Sequence, residues 1–170
     1  GYAFAQATVL SLYPVHGSII GYTELEIGIL LSIVGLARTF IFGIYTFWKT
    51  PFGSGITIKG YLILTVSLIL IPLLNWVYAS AISFAMMGIG LGLVYVSIIS
   101  LAMNHRERGS ATGVFESGIG IGGIAGPFIS GIAAEHISIL GPYWISGSFS
   151  AVLAATSRRL LSRRQGNSLE

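Results

Sequence analysis

The stretch Glu116–Gly131 reads "ESGIGIGGIAGPFISG". Gly118, Gly120 and Gly123 satisfy G-x-G-x-x-G, the glycine spacing of a dinucleotide-binding turn. That turn needs a strand before it and an acidic residue about twenty positions further on. Before Gly118 stands "ATGVFES", continuous with an apolar helix, and the nearest acid beyond is Glu135, in "AEH", which reads as the end of a span. A backbone cradle for phosphate inside a bilayer would also leave amides unsatisfied. A second periodicity fits better. Gly118, Gly122 and Gly126 recur every fourth residue and share one helix face, as do Gly88 and Gly92 earlier in the chain. Glycines at this spacing let two helix backbones approach closely in lipid. Pro127 and Gly131 follow, and proline removes a backbone donor and permits a bend. The stretch is read as a tightly packed, bendable helix. Gly118, Gly122, Gly126, Pro127 and Gly131 here, and Gly88 and Gly92 in the earlier span, are the expected packing and hinge positions.

Composition agrees. The chain has 170 residues, 54% hydrophobic and 9% charged, where a soluble domain carries about 25% charged residues. Such a surface calls for lipid around it. There is no cysteine, hence no disulfide framework and no thiolate metal site. There is no aspartate either, which removes aspartyl-protease chemistry and disfavours a carboxylate metal cage. No metal and no cofactor are expected. The net charge is +3, but four of the nine basic residues (Arg158, Arg159, Arg163, Arg164) lie in the last thirteen positions. That placement reads as the cytoplasmic flank of a membrane span, not as a nucleic-acid surface.

Charges and turn residues divide the chain into six apolar spans, about 2–22, 27–48, 57–74, 77–103, 110–134 and 137–157, followed by a basic cytoplasmic tail, 158–170. The run 60–104 has no charge and is long enough for two crossings, with a turn at Pro72 and Asn75 and interfacial anchors at Trp76 and Tyr78. A soluble bundle would need polar helix faces, and a β-barrel would need period-two alternation, which "YLILTVSLILIPLL" lacks. The fold class is therefore an all-α membrane protein of six transmembrane helices. Lys49, Lys59, Arg106, Arg108 and the arginine tail fall on one side of such a six-span chain, which the positive-inside rule makes cytoplasmic, with both termini. Gly1 already lies inside an apolar segment, as in a piece of a longer protein.

The region "RERGSATGVFESGIGIGGIAGPFISG" (106–131) resembles the loop and glycine-rich helix, R-G-x-x-x-G leading to G-P, of the major facilitator superfamily. It is also similar to that family's antiporter motif G-x-x-x-G-P-x-x-G-G. Gly122, Gly126, Pro127 and Gly131 match, and Ser130 stands where glycine is usual. Members normally have twelve helices in two halves, so the resemblance implies the carboxy-terminal half: six helices built as two three-helix repeats. It implies a secondary transporter moving a small solute by alternating access in the plasma or inner membrane. Its partners would be the bilayer, the solute, and either a missing amino-terminal half or a second copy of this chain; no nucleic acid is expected. The alternative is a six-helix membrane assembly, or channel-like homodimer, without transport. The few intramembrane charges favour a neutral or hydrophobic solute. An intramembrane serine protease would need a histidine on a span after its serine, and the last histidine, His136, lies in a loop, so no enzyme is expected.

Arg38 lies near the middle of the second span, where a lone arginine costs about 2.5–3.5 kcal/mol. That cost marks it for substrate binding or a gating ion pair. Glu116, near the cytoplasmic end of the fifth span, is the other intramembrane charge, either an interfacial carboxylate with no special task or one that holds a conformational ion pair or exchanges a proton. In the resembled family the second and fifth helices of one half face the other half, which implies that Arg38 and Glu116 meet across that interface and not within one chain. The first and fourth helices line the cavity there, which implies Gln6, Tyr13, Tyr95 and Ser97 as lining residues, the alternative for each being a plain hydrogen bond between helices. His16 is expected as an exposed imidazole at the outer end that could couple to protons. Arg106 and Arg108 are expected either to anchor the cytoplasmic loop at the inner leaflet or, as the resemblance implies, to pack against the cytoplasmic ends of helices in the other half.

Overall fold

The computed structural model describes residues 1–48, 54–104 and 107–166. Lys49, Arg106 and the end of the basic tail lie outside the described residues. In apolar runs of this length the backbone must satisfy its own hydrogen bonds, and a helix does so within one segment. The described residues form six helices: α1 Tyr2–Ile19, α2 Glu24–Trp48, α3 Ser54–Leu70, α4 Val77–Met103, α5 Arg108–His136 and α6 Gly141–Gly166. Local chemistry marks their ends. Gly21 turns the chain after α1 with φ +92°, a conformation open to glycine. A capping box opens α2. Glu26 accepts from the Thr23 amide at 2.8 Å, and Thr23 Oγ1 accepts from the Glu26 amide at 3.3 Å. After α3, Pro72 sits in a 3₁₀ turn, Ile71–Leu73. Pro142 falls in the first turn of α6, where a missing N–H costs nothing. Both α1 and α5 run unbroken through their internal prolines, Pro14 and Pro127. The last helix continues past residue 157, so the start of the basic segment forms its final turns.

Four helices, α2, α3 with its 3₁₀ turn, α4 and α5, are long and apolar enough to cross a membrane. The first and last fall short of that measure: α1 interleaves its apolar residues with Gln6, Thr8 and His16, and α6 carries glycines, serines including Ser146 and Ser150, and arginines from Arg158 on. Of these, Thr8, His16, Ser146 and Ser150 are buried in the bundle and do not meet its surroundings.

The most extensive helix pairings are α1 with α5, α2 with α4, and α3 with both α4 and α6. The core runs between them through Val9, Tyr13, Leu30, Leu64, Phe84 and Met87. Glycine sets two of the crossings. A Cβ on Gly88 would strike the Val34 carbonyl and stand 2.8 Å from Ala37 Cβ; one on Gly92 would meet Ile41 Cβ at 2.9 Å. On α5, a Cβ on Gly126 would lie 2.8 Å from the Phe4 carbonyl oxygen and one on Gly122 3.0 Å from the Phe4 amide nitrogen. These four are packing glycines. Gly118 and Gly131 are not: nothing lies within 4 Å of a Cβ at either, since the α1–α5 contact passes them by. Gly60 and Gly90 bring α3 and α4 together, a role their spacing did not announce.

Candidate functional site

Three helices, α1, α2 and α4, meet at Arg38. Its Nη1 donates to Gln6 Oε1 of α1 at 3.1 Å. Its guanidinium carbon lies 5.2 Å from the ring centroids of both Phe42, one turn on along α2, and Tyr95 of α4. Further rings continue the cluster. Tyr95 meets Phe115 of α5 at 5.5 Å and Tyr2 of α1 edge-on at 6.0 Å, and Phe42 meets Tyr95 at 5.3 Å. A cation over an aromatic face is worth about 0.5–2 kcal/mol, and a hydrogen bond to a charged group about 1.5–3 kcal/mol. Two rings and Gln6 together offset an insertion cost of about 2.5–3.5 kcal/mol. Among the described residues Arg38 is thus held in α2 without a carboxylate partner. Its Nε is buried and makes no hydrogen bond among the described residues. Arginine has five N–H donors, so this site keeps donor capacity for an acceptor oxygen.

Glu116 stands one residue from the ring cluster but is exposed. No ion pair joins it to Arg38 among the described residues. It shares a face of α5 with Gly113 and Gly120, positions i, i+3 and i+7. That face is open. A Cβ at Gly109, Gly113, Gly120 or Gly131 would touch nothing within 4 Å, and these four lie on the far side of α5 from Gly122 and Gly126. The second helix has a matching stripe. Gly28, Gly35 and Gly43 are equally open, and Ser32 and Thr39 between them are exposed.

The other expected lining residues separate. Gln6 and Tyr95 belong to the Arg38 cluster. Tyr13 is fully buried, with its ring 4.5 Å from Phe84. Ser97 is also fully buried, and its hydroxyl shares a 2.6 Å hydrogen bond with Thr57 of α3. Both pack helix against helix. His16 is not the exposed imidazole its position suggested. It is 4% exposed, 5.5 Å from the Tyr143 ring and 6.0 Å from Tyr13, because α6 covers the carboxyl-terminal end of α1. Arg108 opens α5 and is exposed. Ser130, which takes the place of a glycine, shares a buried 2.8 Å hydrogen bond with Thr8 of α1.

Sequence reading missed Tyr2, Phe42 and Phe115. The available signal was Phe42, which follows Arg38 by four residues on the same face. Tyr2 and Phe115 had none, since aromatic residues are scattered through every apolar run.

The family model of the Major Facilitator Superfamily matches residues 2–169. No curated protein matches the chain.

Proposed function

The chain belongs to the major facilitator superfamily, a family of small-solute transporters, and on that premise we propose that its six helices all cross the membrane as one half of an alternating-access transporter. The helix pairings support this reading. Exchanging α1, α2, α3 for α4, α5, α6 turns the α1–α5 contact into the α2–α4 contact and α3–α6 into itself. These two correspondences fit two three-helix repeats, while α3–α4, the most extensive pairing, maps onto the lesser α1–α6 contact. The observation that carries the proposal is the pair of unmatched small-residue stripes on α2 and α5, open in this chain although glycines elsewhere in it pack closely. A second six-helix unit seated on those stripes could rock against them. This unit is an amino-terminal half or another copy of the chain, and both termini face the cytoplasm.

Arg38 is the solute-binding residue in this reading. Aromatic walls and one cation with a spare buried donor suit a small, largely apolar solute that bears an acceptor oxygen. Uptake by vesicles containing the working transporter tests it. Arg38→Lys keeps the charge but not a planar group that stacks between two rings. Uptake by this variant should fall at least ten-fold while membrane insertion is unchanged; wild-type uptake would exclude Arg38 from binding.

A gating role for the same residue has its own support, the exposure of Glu116 on the open face of α5. If Arg38 of one unit pairs with Glu116 of another at some stage of the cycle, Arg38→Glu combined with Glu116→Arg should recover activity that each single change abolishes. A double variant no better than the singles would discard the pair.

A further inference from the structure

A groove of about 780 Å³ opens between the first turns of α3 and the last turns of α6. Its volume falls within the range of about 300–1,000 Å³ usual for small-molecule sites. It forms because α6 presents alanines, Ala151, Ala154 and Ala155, toward Ile58 and Leu62 of α3, and short side chains leave the space between the helices unfilled. Leu62 is 51% exposed, so the floor faces the surroundings of the bundle and not its interior. Lys59 and Arg158 line the mouth, one from each helix, with Arg159 beside them. No acidic side chain lines the groove among the described residues.

An apolar trough beneath two cations from two helices matches one kind of occupant. We propose that this groove binds an anionic phospholipid, with its phosphate between Lys59 and Arg158 and the upper part of an acyl chain along Leu62 and the alanine face. A free phosphate would satisfy the cations but leave the trough uncovered. A zwitterionic lipid would fill the trough but set a choline cation against the basic rim. Basic pockets between membrane helices hold anionic headgroups in this way. The site stands apart from Arg38 and from the open stripes of α2 and α5. It requires only that the chain sits in a bilayer.

The test is lipid retention by the purified chain, read by native mass spectrometry after reconstitution into bilayer discs of equal phosphatidylcholine and phosphatidylglycerol. The wild type should retain phosphatidylglycerol preferentially, and inorganic phosphate in millimolar excess should not displace it. Each cation beside a headgroup changes retention about five-fold, so Lys59→Gln with Arg158→Gln should weaken it on the order of thirty-fold. Ala155→Leu, which keeps both charges and fills the trough, should also release the lipid; it tests the site even if the double variant folds poorly. Arg108→Gln, at the head of α5, should change nothing. The proposal is overturned by equal retention of both lipids, by displacement with inorganic phosphate, by undiminished retention in Ala155→Leu, or by an equal loss in Arg108→Gln.

Discussion

Ser130 shows how a single position can depart from a family pattern for a local reason. Glycine there would let α5 approach α1; serine keeps that approach and adds a bond to Thr8. Both hydroxyls are buried, and hydrogen bonds between membrane helices average about 0.6 kcal/mol and reach about 1.7 kcal/mol. Ser130→Ala should therefore lower the melting temperature in detergent, because it leaves Thr8 unmatched. Adding Thr8→Val should recover part of the loss. A double variant that melts as far below the single as the single melts below the wild type would show that the two residues act independently. Arg38 is the opposite case, a residue whose surroundings were hidden. Its position in an apolar run showed that something must hold it. That Phe42, Tyr95 and Gln6 do so, and not a carboxylate, depends on three helices meeting at one depth.

At the scale of the helix, glycines of one spacing serve different ends. Gly88 and Gly126 each face a backbone carbonyl of the neighbouring helix, so a side chain there meets an atom that cannot rotate away. Overpacking of this kind costs about 1–3 kcal/mol or more. Gly88→Val and Gly126→Val should both reduce the folded, monodisperse fraction recovered in detergent; recovery equal to wild type would mean that the helices part without cost. Gly120→Val places the same side chain on the open face of α5, where nothing lies within 4 Å. It should leave the fold and melting temperature of the isolated chain unchanged and lower uptake by the working transporter. If its uptake is normal, the open face is not a sliding surface. Pro127 follows Gly120 by seven residues on the open face of an unbroken helix, where its missing amide permits a bend.

At the scale of the whole molecule, the open stripes on α2 and α5 predict what the chain seeks. The sequence has no cysteine, so introduced pairs report cleanly. Ser32→Cys and Ser117→Cys lie on exposed positions of the two stripes. In membranes they should form intermolecular crosslinks with a second copy or with an amino-terminal half bearing its own cysteine, and a cysteine at buried Ser146 should not. Crosslinking of all three alike would reduce the stripes to ordinary lipid-facing surface.

Much of this architecture is dictated by one-dimensional information. Charge-free runs separated by Glu24, Lys59, Pro72 and Asn75 oblige the backbone to form helices of about these lengths, since hydrogen bonding in an apolar medium is a local demand. The same local chemistry excluded a phosphate cradle at Gly118–Gly123, and the glycine-proline motif pointed to the family. Partner choice is not local. Whether Gly126 or Gly120 meets a neighbour, whether His16 is covered, and whether Ser97 lines a cavity or bonds to Thr57 all depend on how helices far apart in the chain are rotated and placed against one another. Periodicity groups residues into faces, but it does not say which face another helix will occupy. That is set by close packing of the six helices together, and it exists only once they have assembled.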